Sequence, residues 1–171
     1  MDKISILTGS NVEVKHNVLT ITGKGKTIEI PFDSRIMGLK VENAEITFKI
    51  IGKETKSKVA CMRSVMAHAK NAFKGIDTGF SKKLQVVYSH FPVSIEIKEG
   101  SAVIKNFLGE KVPRLASIIG DSKIDVKGQD ISISGSSKYA VGQTANNLMA
   151  ATKIKSKDRR VFQDGIYPVI A

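Results

Sequence analysis

The 171 residues include a single cysteine, Cys61. One thiol forms neither an intramolecular disulfide nor a zinc cluster, so a reducing compartment is expected. A buried small side chain is the expected role for Cys61, not a reactive thiol. His16, His68 and His90 lie far from one another and from Cys61, with no metal-ligand spacing. No metal or cofactor is therefore expected. No stretch approaches the ~18 apolar residues of a membrane-spanning helix, which argues against a membrane partner. Met1-Asp2-Lys3-Ile4-Ser5 lacks the apolar run of a secretory signal. A soluble, cytoplasmic protein is expected.

A nucleophile–base arrangement is also missing. The acids are scattered along alternating strands or in turns, which leaves a catalytic role or a small-molecule substrate without residues to carry it. Gly23-Lys24-Gly25-Lys26-Thr27 has the flavour of a phosphate loop. It lacks the spacing G-x-x-x-x-G-K-[ST] and precedes a strand, so a hairpin turn is expected there.

Positive charge is abundant. The formal net charge is +11, which points to polyanionic partners, nucleic acid ahead of an acidic membrane surface. Residues 1–81 carry net +5 and residues 82–171 net +6, but only the second half gathers its charge into a dense run. Hydrophobic residues make up 42% of the chain, enough for a packed core.

The periodicity is that of strands followed by a helix, twice over. Val12–Val14, Val18–Thr22, Thr27–Pro31, Leu39–Val41 and Glu45–Ile50 read as strands. Met62, Val65, Met66, Ala69 and Phe73 then mark one face of a helix, with Ser57 as N-cap and Gly75 as stop. In the second half, Leu84–Tyr88, Val93–Lys98, Ala102–Lys105, Lys123–Lys127 and Asp130–Ser134 read as strands. A helix from about Lys138 to Thr152 follows, capped by Ser136 or Ser137. Val12–Lys15 matches Ile95–Lys98 at an offset of 83, and Leu39–Phe48 matches Ile124–Ile133 at an offset of 85. The fold class expected is α+β: two tandem duplicated domains, residues 1–81 and 82–171, each an antiparallel-rich sheet packed against one long helix.

The densest basic run lies near the C-terminus. Lys153, Lys155, Lys157 and Arg159 occupy every second position, and Arg160 follows with one acid, Asp158, between. An extended segment would send those four side chains to one side, a comb suited to phosphates. The bland alternative is a solvated basic tail. Phe162 and Tyr167 then offer aromatic surface around a turn signal at Asp164-Gly165, where Gly165 is expected to have positive φ. The preceding helix presents Lys138, Gln143, Thr144, Asn146 and Asn147, a face rich in amides that bond phosphates, 2′-hydroxyls or base edges.

These stretches carry a resemblance. Val87–Pro92, Asn106–Lys111, Gly128–Ile131 and above all Lys157–Tyr167 are similar to the large-subunit ribosomal protein six family, in its archaeal and eukaryotic branch. The resemblance covers essentially the whole chain. It implies a structural constituent of the cytoplasmic large ribosomal subunit. The second domain and C-terminal segment would contact large-subunit rRNA near the sarcin–ricin loop and the factor-binding region. Lys138, Gln143 and Asn147 would line the RNA side of the second helix, Lys153 through Arg160 would track phosphates, and Phe162 and Tyr167 would anchor the segment. The first domain would face solvent or neighbouring large-subunit ribosomal proteins. A free-standing RNA chaperone or regulatory RNA binder, and a protein–protein adaptor, are the alternatives.

Overall fold

The computed structural model describes residues 2–6, 9–42, 45–88, 90–155, 157–158 and 160–169. The chain divides into two compact units, residues 1–79 and 80–171, each with its own apolar core.

The first unit contains β1 (Asp2–Ser5), β2 (Ser10–Lys15), β3 (Val18–Gly23), β4 (Lys26–Pro31), β5 (Met37–Glu42), β6 (Glu45–Ile50) and α1 (Lys56–Asp77). The strands form two antiparallel sheets, β2-β3-β4 and β1-β6-β5. Alternation along β3 and β6 buries Leu19, Ile21, Ile46 and Phe48 on one face. Met62, Val65, Ala69, Phe73 and Ile76 of α1 close that core. The phosphate-loop-like stretch is a two-residue hairpin: Lys24 and Gly25 both have positive φ (48° and 73°), the geometry of a type I′ turn between β3 and β4.

The bounds of α1 differ from expectation. Its N-cap is Thr55, whose hydroxyl accepts the Lys58 N–H at 3.4 Å, and Ser57 lies inside the helix. Gly75 is buried within the helix and does not end it. The stop comes at Thr78, followed by left-handed Gly79, whose N–H reaches Lys74 O at 3.3 Å.

The second unit contains β7 (Phe80–Val87), β8 (Ser94–Lys98), β9 (Ser101–Lys105), a 3₁₀ turn (Phe107–Gly109), β10 (Arg114–Ser117), β11 (Lys123–Lys127), β12 (Asp130–Gly135), α2 (Lys138–Ala151) and β13 (Gly165–Pro168). Its sheets are β8-β9-β10 and β11-β12-β7-β13. The duplication is visible residue by residue. Leu39 and Val41 stand opposite Phe48 and Ile46, as Ile124 and Val126 stand opposite Ile133 and Ile131. Among the described residues, strand β13 has no counterpart in the first unit. Ser137 caps α2, accepting the Ala140 N–H at 3.3 Å, while Ser136 is buried against the carboxylate of Asp121.

Phe80 and Ser81 belong to β7, paired with Gly135 and Ser134 of β12. Residues 80–171 expressed alone are therefore expected to unfold in one cooperative transition with denaturant. The same fragment begun at Lys82 loses those rungs and is expected to have a lower urea midpoint.

Candidate nucleic-acid interface

Helix α2 buries Ala140, Val141, Thr144, Ala145 and Leu148 against the second core. Thr144 thus sits on the inner face, not with the open amides; its hydroxyl accepts the Ile119 N–H at 3.0 Å. The opposite face carries Tyr139, Gly142, Gln143 and Asn146. Tyr139 is 72% exposed on a helix with only one cation, a combination that single-residue charge counting passes over. The Gln143 amide donates to Asn147 at 3.0 Å, and Asn147 donates to Ser117 O at 2.8 Å. Asn147 is thereby committed to the fold and orients Gln143. Lys138 is exposed in the first turn. Five residues before Gln143, it lies about 140° away around the helix axis.

The end of α2 is held from two sides. The Arg114 guanidinium donates to Ala151 O (2.8 Å) and Lys153 O (3.3 Å), satisfying carbonyls that the helix terminus leaves open. The same guanidinium makes a two-pronged pair with Glu110 (2.8 and 2.6 Å) and lies 4.4 Å from the centre of the Phe107 ring. Hydrogen bonding to Arg114 holds the Glu110 carboxyl below the usual carboxylate range. Thr152 is buried, and its hydroxyl donates to Leu148 O and accepts the Ile166 N–H at 3.1 Å. One hydroxyl thus ties the end of α2 to β13.

From there the basic segment runs across the surface. Lys153 and Lys155 are exposed while Ile154 between them is buried, so alternation holds over this stretch. Lys157 is exposed and its ammonium lies 4.5 Å from the centre of the Phe162 ring. Arg159 lies outside the described residues. The extended comb does not continue: the N–H groups of Val161 and Phe162 both bond to Asp158 O, a turn. Arg160 is occupied by Asp158, at 3.1 Å, and this pairing lowers the Asp158 carboxyl below its ordinary range. Arg160 is therefore a half-neutralised cation, whereas Lys153, Lys155 and Lys157 show no ion pair among the described residues.

Phe162 is half-buried and stacks on His90, with ring centroids 4.9 Å apart. Nδ1–H of His90 donates to Oδ2 of Asp164 at 2.8 Å, and the Asp164 side chain is only 2% exposed. The chain does not turn at Asp164-Gly165; β13 begins there. Gly165 does not have positive φ. A Cβ at this position would meet the Tyr167 ring at 3.2 Å, a tight contact to which the half-exposed ring would have to yield by a few tenths of an ångström. Tyr167 is half-exposed, and its hydroxyl donates to Gln163 O at 3.0 Å. A cavity of about 460 Å³ opens between the two elements, lined by Asn146, Met149, Ala150, Lys153, Phe162 and Tyr167 among others.

The sequence pattern missed Arg114, Thr152, His90 and Asp164, which hold the segment, and Tyr139, which extends the face. The first four act through partners distant in sequence; Tyr139 had a local signal, an aromatic on the polar face of an amphipathic helix.

Two substitutions test the clamp. Thr152→Val keeps the shape but leaves the Ile166 N–H without its acceptor, which is expected to cost about 1–3 kcal/mol by urea unfolding. Arg114→Lys, which cannot reproduce the fork, is expected to lower stability by about 1–2 kcal/mol. The acid limb carries a third signature. Because the folded carboxyl of Glu110 is lowered, its contribution is complete above the unfolded value of about 4.3 and is lost as pH falls through the folded one. Glu110→Gln is expected to remove that part of the acid sensitivity.

Comparison with known proteins places this surface in a family. The family model for ribosomal protein L6 matches residues 91–165, from the loop after β7 through α2 to the start of β13. The chain is 40% identical over 167 residues to the large ribosomal subunit protein uL6 of Methanosarcina mazei, covering 97% of this chain and 94% of that one. It is 41% identical over 170 residues to the uL6 of Staphylothermus marinus, covering 97% and 91%, and 41% identical over 165 residues to that of Thermoplasma acidophilum, covering 96% and 92%. With such identity along nearly its whole length, the chain belongs to the ribosomal protein L6 family.

Proposed function

We propose that this chain binds large-subunit rRNA through the outer face of α2 and the segment after it, near the sarcin–ricin loop and the factor-binding region. Membership of the family makes it a structural, non-enzymatic protein of the large ribosomal subunit, in the cytoplasm, with rRNA and other ribosomal proteins as partners. The observation that carries the finer assignment is the recess where the outer face of α2 meets the basic segment, lined by Asn146, Ala150, Lys153, Phe162 and Tyr167 among others, with Lys155 and Lys157 exposed along that segment and Tyr139 exposed on the helix. Lysines neutralise phosphates and release counterions; Tyr139 and Gln143 offer stacking and hydrogen bonds to bases or 2′-hydroxyls. The backbone of Lys153 and of Gly165–Pro168 is already fixed by Arg114, Thr152 and β7, so less of the ~1–2 kcal/mol per residue of ordering cost falls on binding.

Replacing Lys153, Lys155, Lys157 and Arg159 together by Gln is expected to reduce the slope of log K against log[salt] by about 3, at about 0.7–0.9 per phosphate. An unchanged slope in filter binding to an rRNA fragment carrying the sarcin–ricin loop rules out the phosphate-tracking role. Tyr139→Ala is expected to cost about 1–3 kcal/mol of binding if a base stacks there, with the salt slope and Tm both unchanged. Equal affinity for an unrelated RNA of the same length favours instead a general RNA chaperone.

A further inference from the structure

Helix α1 of the first unit carries a feature that the α2 interface does not use. Between Lys56 and Ile76 it contains five cations and no acid; its one carboxylate is Asp77 at the last position. Lys58 donates to Ile51 O at 2.9 Å, folding its charge back over the helix start. The other four, Lys56, Arg63, Lys70 and Lys74, are all exposed. Their spacings of seven, seven and four residues place them within about 40° of one another around the axis. They form a stripe about 27 Å long, roughly 165° around the axis from buried Val65, 125° from Ala69 and 85° from Phe73.

Among the described residues, no carboxylate pairs with the stripe. Several cations on the strands and loops of this unit are paired: Lys3 with Glu45, Lys15 with Glu13, Lys24 with Asp77 and Arg35 with Asp33. Among the described residues, none of the four on the stripe makes an ion pair or side-chain hydrogen bond. The arrangement works against the helix itself. Lys56 and Lys58 stand in the first turn, where the helix dipole disfavours cations and no acid offsets them. Lys70 and Lys74 are like charges four apart, which is also unfavourable. An ordinary solvated face at this net charge intersperses both signs.

We propose that this stripe is a second nucleic-acid contact, a seat for the sugar–phosphate backbone of double-stranded RNA, carried by the first unit on its own. The side chains between the cations decide the class of partner. Ala60, Ser64 and Ala67 on one flank are exposed, Val59 and Met66 on the other are half-buried, and none of the exposed large hydrophobic or aromatic residues lies on α1. Protein interfaces are centred on aromatic or aliphatic anchors, which are absent. Single-stranded RNA is held by base stacking on aromatic rings, also absent here. A rigid row of cations separated by small residues fits a duplex backbone, where contacts are to phosphate and shape and carry little sequence information. At the C-terminal end of the stripe a cavity of about 530 Å³ is lined by Lys3, Ser5, Lys70, Phe73, Lys74 and Asp77 among others; the Asp77 carboxylate there is paired with Lys24, which leaves the last two cations to face a phosphate.

The test uses the full chain and a fluorescein-labelled RNA duplex of about 20 base pairs, a length sufficient for backbone-reading domains. Anisotropy is titrated across salt for wild type, for K56Q/R63Q/K70Q/K74Q, for the C-terminal glutamine variant above, and for both sets together. The α1 set is expected to reduce the slope magnitude by about 3.6, at about 0.9 per phosphate, and to weaken binding at least tenfold, with or without the C-terminal set. Exchanging the cations for one another (K56R/R63K/K70R/K74R) is expected to preserve the slope. The α1 set is expected to hold or raise the Tm, because like-charge and dipole repulsion are relieved. If it instead unfolds the chain, the half-sets K56Q/R63Q and K70Q/K74Q are each expected to remove about half of the effect. An unchanged slope with the α1 set overturns the proposal and leaves a solvated face. Retained duplex binding together with lost binding to polyglutamate overturns it in favour of an acidic protein partner. Loss of slope in the α1 set alone, with none from the C-terminal set, supports this contact and rejects the other.

Discussion

The hydroxyl of Thr152 is the joint on which the second unit's surface depends. It is buried, it bonds back into the last turn of α2, and it accepts the amide of Ile166 at the start of β13. That link ties the last turn of α2 directly to the first residues of β13. Separate contacts fix the two ends as well: Arg114 grips the carbonyls of Ala151 and Lys153, and β13 is zipped to β7 from Gly165↔Val87 to Pro168↔Leu84. The stack of His90 on Phe162, and the His90–Asp164 hydrogen bond beneath it, pin the middle. A cationic segment of this kind can meet an RNA without first losing all of its conformational freedom.

The two units use one architecture for different surfaces. The shared register of β5–β6 and β11–β12 and the helix packed on each sheet pair give the same core twice. What differs is chemistry laid on the outside. Helix α2 has Tyr139, Gln143 and Asn146 on its outer face and delegates its charge to the segment that follows. Helix α1 runs through Thr78 and Gly79 into β7 without a basic segment between, and carries its charge on itself, in a row. The addition of β13 to the second sheet is what makes the difference possible, because it returns the chain to the sheet after the basic run.

Much of the fold was legible from periodicity. Alternation marked β2–β6, β8, β9, β11 and β12, and the 85-residue offset between Leu39–Phe48 and Ile124–Ile133 marked the duplication itself. Strands β1, β10 and β13 were missed because each is four residues long, too short for alternation to stand out. Helix ends went astray for a local reason: Ser57 is as good a cap by type as Thr55, and only the backbone shows which one is extended. In the interface, charge and aromatic content were visible, but the path was not. Asp158 was counted as the lone acid in a basic run; it is in fact the residue that turns the chain and occupies Arg160. Gly165 reads as a turn glycine from its type and its Asp164 neighbour, but it starts a strand at an ordinary φ, with the Tyr167 ring close to where a Cβ would stand.

The central claim is that the C-terminal basic segment is anchored in the folded protein before any RNA arrives. Native-state amide hydrogen exchange on the free, full-length chain tests it most directly. The Ile166 amide, bonded only through the Thr152 hydroxyl to the end of α2, is expected to exchange as slowly as the β7 amides of Leu84 and Val86. It is also expected to lose that protection selectively in Thr152→Val. Exchange of Ile166 at the rate of an unstructured chain, while β7 stays protected, would contradict the account.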